Sequence, residues 1–122
     1  MGLYDRFLLC DGEHYSIYFH AENAAFSEVY EYFERCDAVT QASLLYLAKR
    51  MGDIGRIYDT NKFRLEDKEN KIYVFKPKQE RFFCFFFSGK IIIITTAYRK
   101  QRQKLDENEL RKAVEIRKQY VG

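Results

Sequence analysis

The sequence predicts one α+β domain over residues 1–122, a small antiparallel sheet packed against an N-terminal helix hairpin with a helix closing the chain. Three observations carry this expectation. Two capped segments with helical periodicity occupy 23–52, three closely spaced aromatic or β-branched runs occupy 71–98, and a capped amphipathic segment begins at Asp106. A chain of 122 residues fits a single core, since domains usually hold about 100 to 150 residues.

Residues 3–9 and 15–21 are short apolar runs separated by Asp11-Gly12-Glu13-His14, whose Asp-Gly is a turn signal, so they read as a strand pair. Asn23 stands as a cap ahead of Phe26, Val29, Tyr30 and Phe33, which follow the spacing of a buried helical stripe. Asp37 caps a second helix whose Leu44, Leu45, Leu47, Ala48 and Met51 face inward. Lys49 and Arg50 suit its negative end, and Gly52 stops it. So short a junction predicts an antiparallel helix hairpin. Residues 53–70 lack sustained periodicity and read as a loop with a short strand near 63–65.

Three strands follow, at 71–76, 81–87 and 90–98, rich in the aromatic and β-branched residues of covered strands. Ser88-Gly89 is a two-residue hairpin connection. Asp106 caps the last helix, with Glu109 three residues on, and Leu110, Ala113, Val114 and Val121 form its apolar side.

No run is apolar enough for a membrane span of about 18 to 20 residues, and the acidic N-terminus does not resemble a signal peptide, which makes cytoplasm the expected location. Cys10, Cys36 and Cys84 are odd in number and far apart, and His14 and His20 form no ligand pair with them. A disulfide framework, a zinc site and a bound cofactor are therefore not expected.

The charge is strongly uneven. Residues 1–70 carry 8 Lys/Arg against 13 Asp/Glu, residues 71–104 carry 9 against 1, and residues 105–122 carry 4 against 4. A basic segment with a single acid points to an anionic partner, above all a nucleic acid. If the hairpin turns at Ser88-Gly89, Arg81 faces Thr96 and Lys78 approaches Arg99. Lys76, Lys78, Arg81, Arg99, Lys100, Arg102 and Lys104 then crowd one rim of the sheet, and the isoleucine strand fixes their position.

Local motifs add a resemblance. Residues 72–76 (IYVFK), 80–87 (ERFFCFFF) and 92–120 (IIITTAYRKQRQKLDENELRKAVEIRKQY) resemble the "LYELR" strand, the "YRILYFF" strand and the "LLHGFVKKTQKTP" segment with its following "EIEKALRRRKEY" helix. These belong to the phage-derived, HigB-like branch of the RelE/HigB superfamily of toxin–antitoxin toxins. Arg81, Lys100, Gln103 and Lys104 stand at matching places, and Lys76 keeps the charge of the "ELR" arginine. Val74 replaces the family's glutamate, and Thr96-Ala97-Tyr98 replaces its "HGF". The first 70 residues match only in element order.

The resemblance implies a RelE-like fold and a metal-independent endoribonuclease that cleaves mRNA on the ribosome by attack of a ribose 2′-hydroxyl. It also implies a cognate antitoxin, usually of helix-turn-helix type. Arg81 and Arg102 are then assigned to the phosphate, Lys100 to phosphate or proton transfer, and Tyr98 to base stacking or proton transfer. Lys76, Lys78, Arg99 and Lys104 would hold RNA, and Tyr120 is a further aromatic that could reach the site. Guanidinium groups bind phosphate bidentately and stabilise charge growing on its oxygens, but lysine and arginine are poor bases at neutral pH, so the base is left open. Two other activities fit the same expectations: a ParE-like inhibitor of DNA gyrase and a non-catalytic RNA-binding relative. A third is a phage protein that blocks a host factor through its acidic half.

Overall fold

The computed structural model describes residues 3–101 and 104–122. A single turn of 3₁₀-helix, Asp5–Phe7, leads into β1 (Leu8–Asp11) and β2 (Ser16–Phe19). Helices α1 (Glu28–Arg35) and α2 (Ala38–Ile54) follow, then β3 (Phe63–Asp67), β4 (Ile72–Phe75), β5 (Glu80–Phe87), β6 (Ile91–Arg99) and α3 (Glu107–Val121). The fold is α+β, as expected, but the sheet is neither small nor wholly antiparallel. Six strands run in the order β1-β2-β6-β5-β4-β3, and β2 pairs with β6 in parallel.

This arrangement explains the unbroken isoleucine run. Ile92 and Ile94 point into a core shared with α1 and α2, while Ile93 points into a second core under α3. All three are fully buried, each contributing roughly 1.5–3 kcal/mol of hydrophobic stabilisation. A strand covered on both faces has no polar side to alternate with.

Several local expectations are corrected. Ser27, not Asn23, caps α1: its hydroxyl accepts from the Tyr30 amide at 3.1 Å and donates to the His20 carbonyl at 2.5 Å. Asn23 instead closes a turn, accepting from the Ala25 amide, which leaves Phe26 outside the helix and exposed. Asp37 caps α2 as expected, but the helix runs through Gly52 to Ile54 and ends at Gly55, whose φ of 90° only glycine adopts readily. Gly52 is small for another reason. A Cβ on Gly12 would lie 2.2 Å from the Gly52 carbonyl carbon, so the β1–β2 turn and α2 meet backbone to backbone.

The expected helix hairpin is also modified. α1 packs on β6 and α2 on β1 and β2, so the sheet holds each helix. Their junction is fixed by Gln41, whose amide donates to the carbonyls of Phe33, Glu34 and Cys36. Leu45 on α2 and Val121 on α3 are exposed. Asp106 caps α3 through the amides of Asn108 and Glu109, as expected.

The β5–β6 register differs most consequentially. The connection has three residues, Ser88 to Lys90, and Phe87 stands opposite Ile91. Past Cys84 and Ile94 the pairing shifts by a further residue, so Phe82 faces Ala97 and Arg81 faces Tyr98. The extra residue lies in the Thr95-Thr96 pair, where the Thr95 hydroxyl donates to the Phe83 carbonyl at 3.1 Å. Such a bulge reverses the alternation of everything beyond it. Tyr98 therefore turns toward α3, and Arg99 toward α1.

Candidate functional site

β-strand alternation places Arg81 on the same face as Phe83, and Lys76 on the same face as Val74. Arg64 of β3 stands directly opposite Val74, and Tyr98 of β6 opposite Arg81. Arg64 from β3, Lys76 from just after β4, Arg81 from β5 and Tyr98 from β6 thus reach the α3 side of the sheet. Lys100, Lys104 and Leu105 arrive from the chain between β6 and α3. Together with Glu66 they enclose a cavity of about 210 Å³. Five cations face one carboxylate there.

Several members are held in place by backbone oxygens. Arg81 donates through Nη1 to the carbonyls of Lys78 and Glu80, at 2.9 and 2.8 Å. The left-handed φ of 55° at Lys78 turns the Pro77-Lys78-Gln79 corner back over β5, which brings that carbonyl within reach. Lys76 is buried and donates through Nζ to the Thr60 carbonyl at 3.1 Å. The Lys100 amide donates to the Gln79 carbonyl at 2.8 Å, extending the β5–β6 pairing to the cavity's edge. Arg64 reaches Glu66 Oε1 with both Nε and Nη2, at 3.2 and 3.1 Å.

The electrostatics follow from this crowding. Burial, then repulsion from Arg64, Arg81 and Lys100, holds the Lys76 ammonium below the ordinary lysine range, against a smaller opposing pull from Glu66. Burial pushes the Tyr98 phenol up, so it stays protonated at neutral pH. Cations that repel one another at close quarters are not there for stability; an anion between them would relieve the repulsion.

Of the residues expected from the sequence, Lys76, Arg81, Tyr98, Lys100 and Lys104 line this cavity. Arg102 lies outside the described residues. Arg99 and Lys78 are not among the lining residues. Arg99 pairs with Glu80 at 2.8 Å on the α1 side, where Glu80 also accepts from the Tyr32 hydroxyl. Lys78 and Arg99 both help depress the Asp37 carboxyl, secondary to its hydrogen bonds with Thr40, which places their charge near the start of α2. Tyr120 packs on Phe85 and Phe87 and hydrogen-bonds His20 Nδ1 at 2.7 Å, in the core under the C-terminal end of α3. Arg64 and Glu66 were not anticipated, although their i, i+2 spacing next to the proposed short strand is the signal that could have found them.

Val74 and Thr96 do not line the cavity either. Val74 is buried beneath α3, and the Thr96 hydroxyl donates to the Glu109 carbonyl. Among the described residues, no three His, Cys, Asp or Glu side chains gather as a metal-binding group, and no helix is long and apolar enough to cross a membrane. Neither a scan against protein-family models nor a search of curated proteins finds a match for this chain.

Proposed function

We propose that this protein is an endoribonuclease toxin of the RelE/HigB type that cleaves mRNA by in-line attack of a ribose 2′-hydroxyl on the adjacent phosphate. The observation that carries the reading is the convergence of Arg64, Lys76, Arg81, Lys100 and Lys104 with Tyr98 on one small cavity. Such a set binds a phosphodiester through charge and through guanidinium forks, and it favours the extra negative charge of the pentacoordinate transition state. The cavity supplies that positive charge from side chains, so the reaction does not require a metal. Tyr98, at the cavity's edge, is placed to stack on a base or to hydrogen-bond the phosphate.

The resemblance of residues 72–120 to RelE/HigB toxins extends the reading. It supports a RelE-like assignment of the α+β fold, action on ribosome-bound mRNA in the cytoplasm, and control by a cognate antitoxin of helix-turn-helix type. A non-catalytic RNA-binding relative is the second reading, and the observation favouring it is that neither His14 nor His20 lines the cavity. End-group analysis separates the two. Fragments ending in 2′,3′-cyclic phosphate and 5′-hydroxyl, formed equally well in excess chelator, support cleavage. Salt-sensitive RNA binding without fragments supports the binder.

A further inference from the structure

The cavity's own charge poses a chemical difficulty for RNA cleavage. Ammonium and guanidinium groups stabilise a phosphorane, but while protonated they cannot take the proton from the attacking 2′-hydroxyl. Tyr98 is no better, since burial holds its phenol protonated. We infer that Glu66 is the general base of this reaction and that Arg64 is the residue that positions it. The inference rests on the RNA-cleavage reading above and adds to it the group that moves the proton.

Geometry supports the assignment. Glu66 is the one carboxylate among the described residues lining the cavity. Its side chain is only 15% exposed. Leu65 pairs with Tyr73 and Asp67 with Ile72, which leaves Glu66 as the unpaired residue of a bulge in β3. Bulges re-aim side chains and are over-represented beside active sites. The protein therefore has one bulge in β6 that brings Tyr98 to the cavity and one in β3 that carries Glu66. Both Arg64 contacts fall on the same oxygen, Oε1, which fixes the orientation of the carboxylate and leaves its other oxygen to face the cavity's ligand.

The proposed step balances with groups already present. The 2′-hydroxyl gives its proton to the Glu66 carboxylate as the 2′-oxygen forms a bond to phosphorus. The bond from phosphorus to the 5′-oxygen breaks, and that oxygen takes a proton from the Lys76 ammonium. Lys76 suits the acid role because it lines the same cavity as Glu66, and burial and its cationic neighbours make its ammonium more acidic than an ordinary lysine. Glu66 then returns its proton to the Lys76 amine through water in the cavity. The products are a 2′,3′-cyclic phosphate and a 5′-hydroxyl, with both side chains restored.

The test is single-turnover cleavage of ribosome-bound mRNA across a pH series by the wild type, Glu66→Gln, Arg64→Gln and Arg64→Lys. Binding is measured in parallel to the same message carrying a 2′-deoxy nucleotide at the cut. Glu66→Gln is expected to slow cleavage by about 100-fold or more and to lose the acid limb of the pH profile. It should bind the deoxy message at least as tightly as the wild type, which also shows that it folds. Arg64→Gln should slow cleavage by about 10-fold or more while the deoxy message still binds, and Arg64→Lys should restore most of the rate. Glu66→Gln cleavage within about threefold of wild type, or an acid limb that survives, would overturn the assignment. Loss of deoxy-message binding together with cleavage would overturn it too, because Glu66 would then be holding the cavity together. A wild type that cleaves nothing sinks the parent reading and this inference with it, whereas an active wild type with an active Glu66→Gln sinks this inference alone.

Discussion

Arg81 of β5 and Tyr98 of β6 stand directly opposite each other, and both line the cationic cavity on the α3 side of the sheet. Arg81 is braced by two backbone carbonyls, so its guanidinium is oriented before any ligand arrives. Pre-oriented donors are worth most where charge develops. Arg81→Ala should lower the cleavage rate by about 100-fold or more while thermal unfolding stays cooperative, measured by single-turnover kinetics and circular dichroism.

Arg99, the next residue, should behave differently. The Thr95-Thr96 bulge turns it to the opposite face, where it pairs with Glu80. Its side chain is 63% exposed while that of Glu80 is only 9% exposed, so the pair is partly screened, and Glu80 keeps the Tyr32 hydroxyl when Arg99 is removed. Arg99→Ala should leave cleavage within about threefold of wild type and shift the denaturation midpoint only slightly. A loss comparable to that of Arg81→Ala would mean the bulge is misplaced.

Lys76 is a residue whose charge opposes folding. Its pKa is depressed by burial first and by Arg64, Arg81 and Lys100 next, so the folded state disfavours its protonated form. The cost is present at neutral pH and disappears as pH rises from the depressed value through the ordinary one near 10.5. Lys76→Met should therefore stabilise the protein, by about 0.5–2 kcal/mol in urea denaturation, while impairing cleavage. The same substitution should flatten the alkaline rise in stability.

His20 sets an acid-side sensitivity away from the cavity. It is buried against Tyr120, and burial lowers its pKa despite the nearby Glu22 carboxylate. A base whose folded pKa is depressed contributes stability above its ordinary value of 6.5, and that stability is lost as pH falls through the folded value. Stability should thus decline below about pH 6.5, and His20→Gln should reduce the decline. Tyr120→Phe should cost about 1–3 kcal/mol at pH 7, since it strands a buried imidazole nitrogen.

Elements set by local chemistry were legible in the sequence. Asp37 and Asp106 cap their helices through their own neighbouring amides, and the aromatic and isoleucine runs form strands because no other element can bury them. Elements set by distant contacts were not. Asn23 and Ser27 are both good capping residues, and the choice falls to Ser27 because its hydroxyl also meets the His20 carbonyl. The parallel pairing of β2 with β6 joins segments far apart in the chain. The basic rim was legible as composition, but which residues share a face depended on a bulge that Thr95-Thr96 does not announce. That single inserted residue decides that Tyr98, and not Arg99, faces α3. Glu66 was hidden for a related reason: its own bulge lies in a segment with too little periodicity to read as a full strand.

The most direct test incubates the purified protein with messenger RNA, with and without programmed ribosomes, and maps fragment ends by primer extension, using Arg81→Ala as the control. Cuts that appear only with ribosomes and vanish in the variant are expected. No cuts in either sample, with ribosomes shown to be translating, would contradict the toxin reading and shift the weight to gyrase inhibition or RNA binding without catalysis.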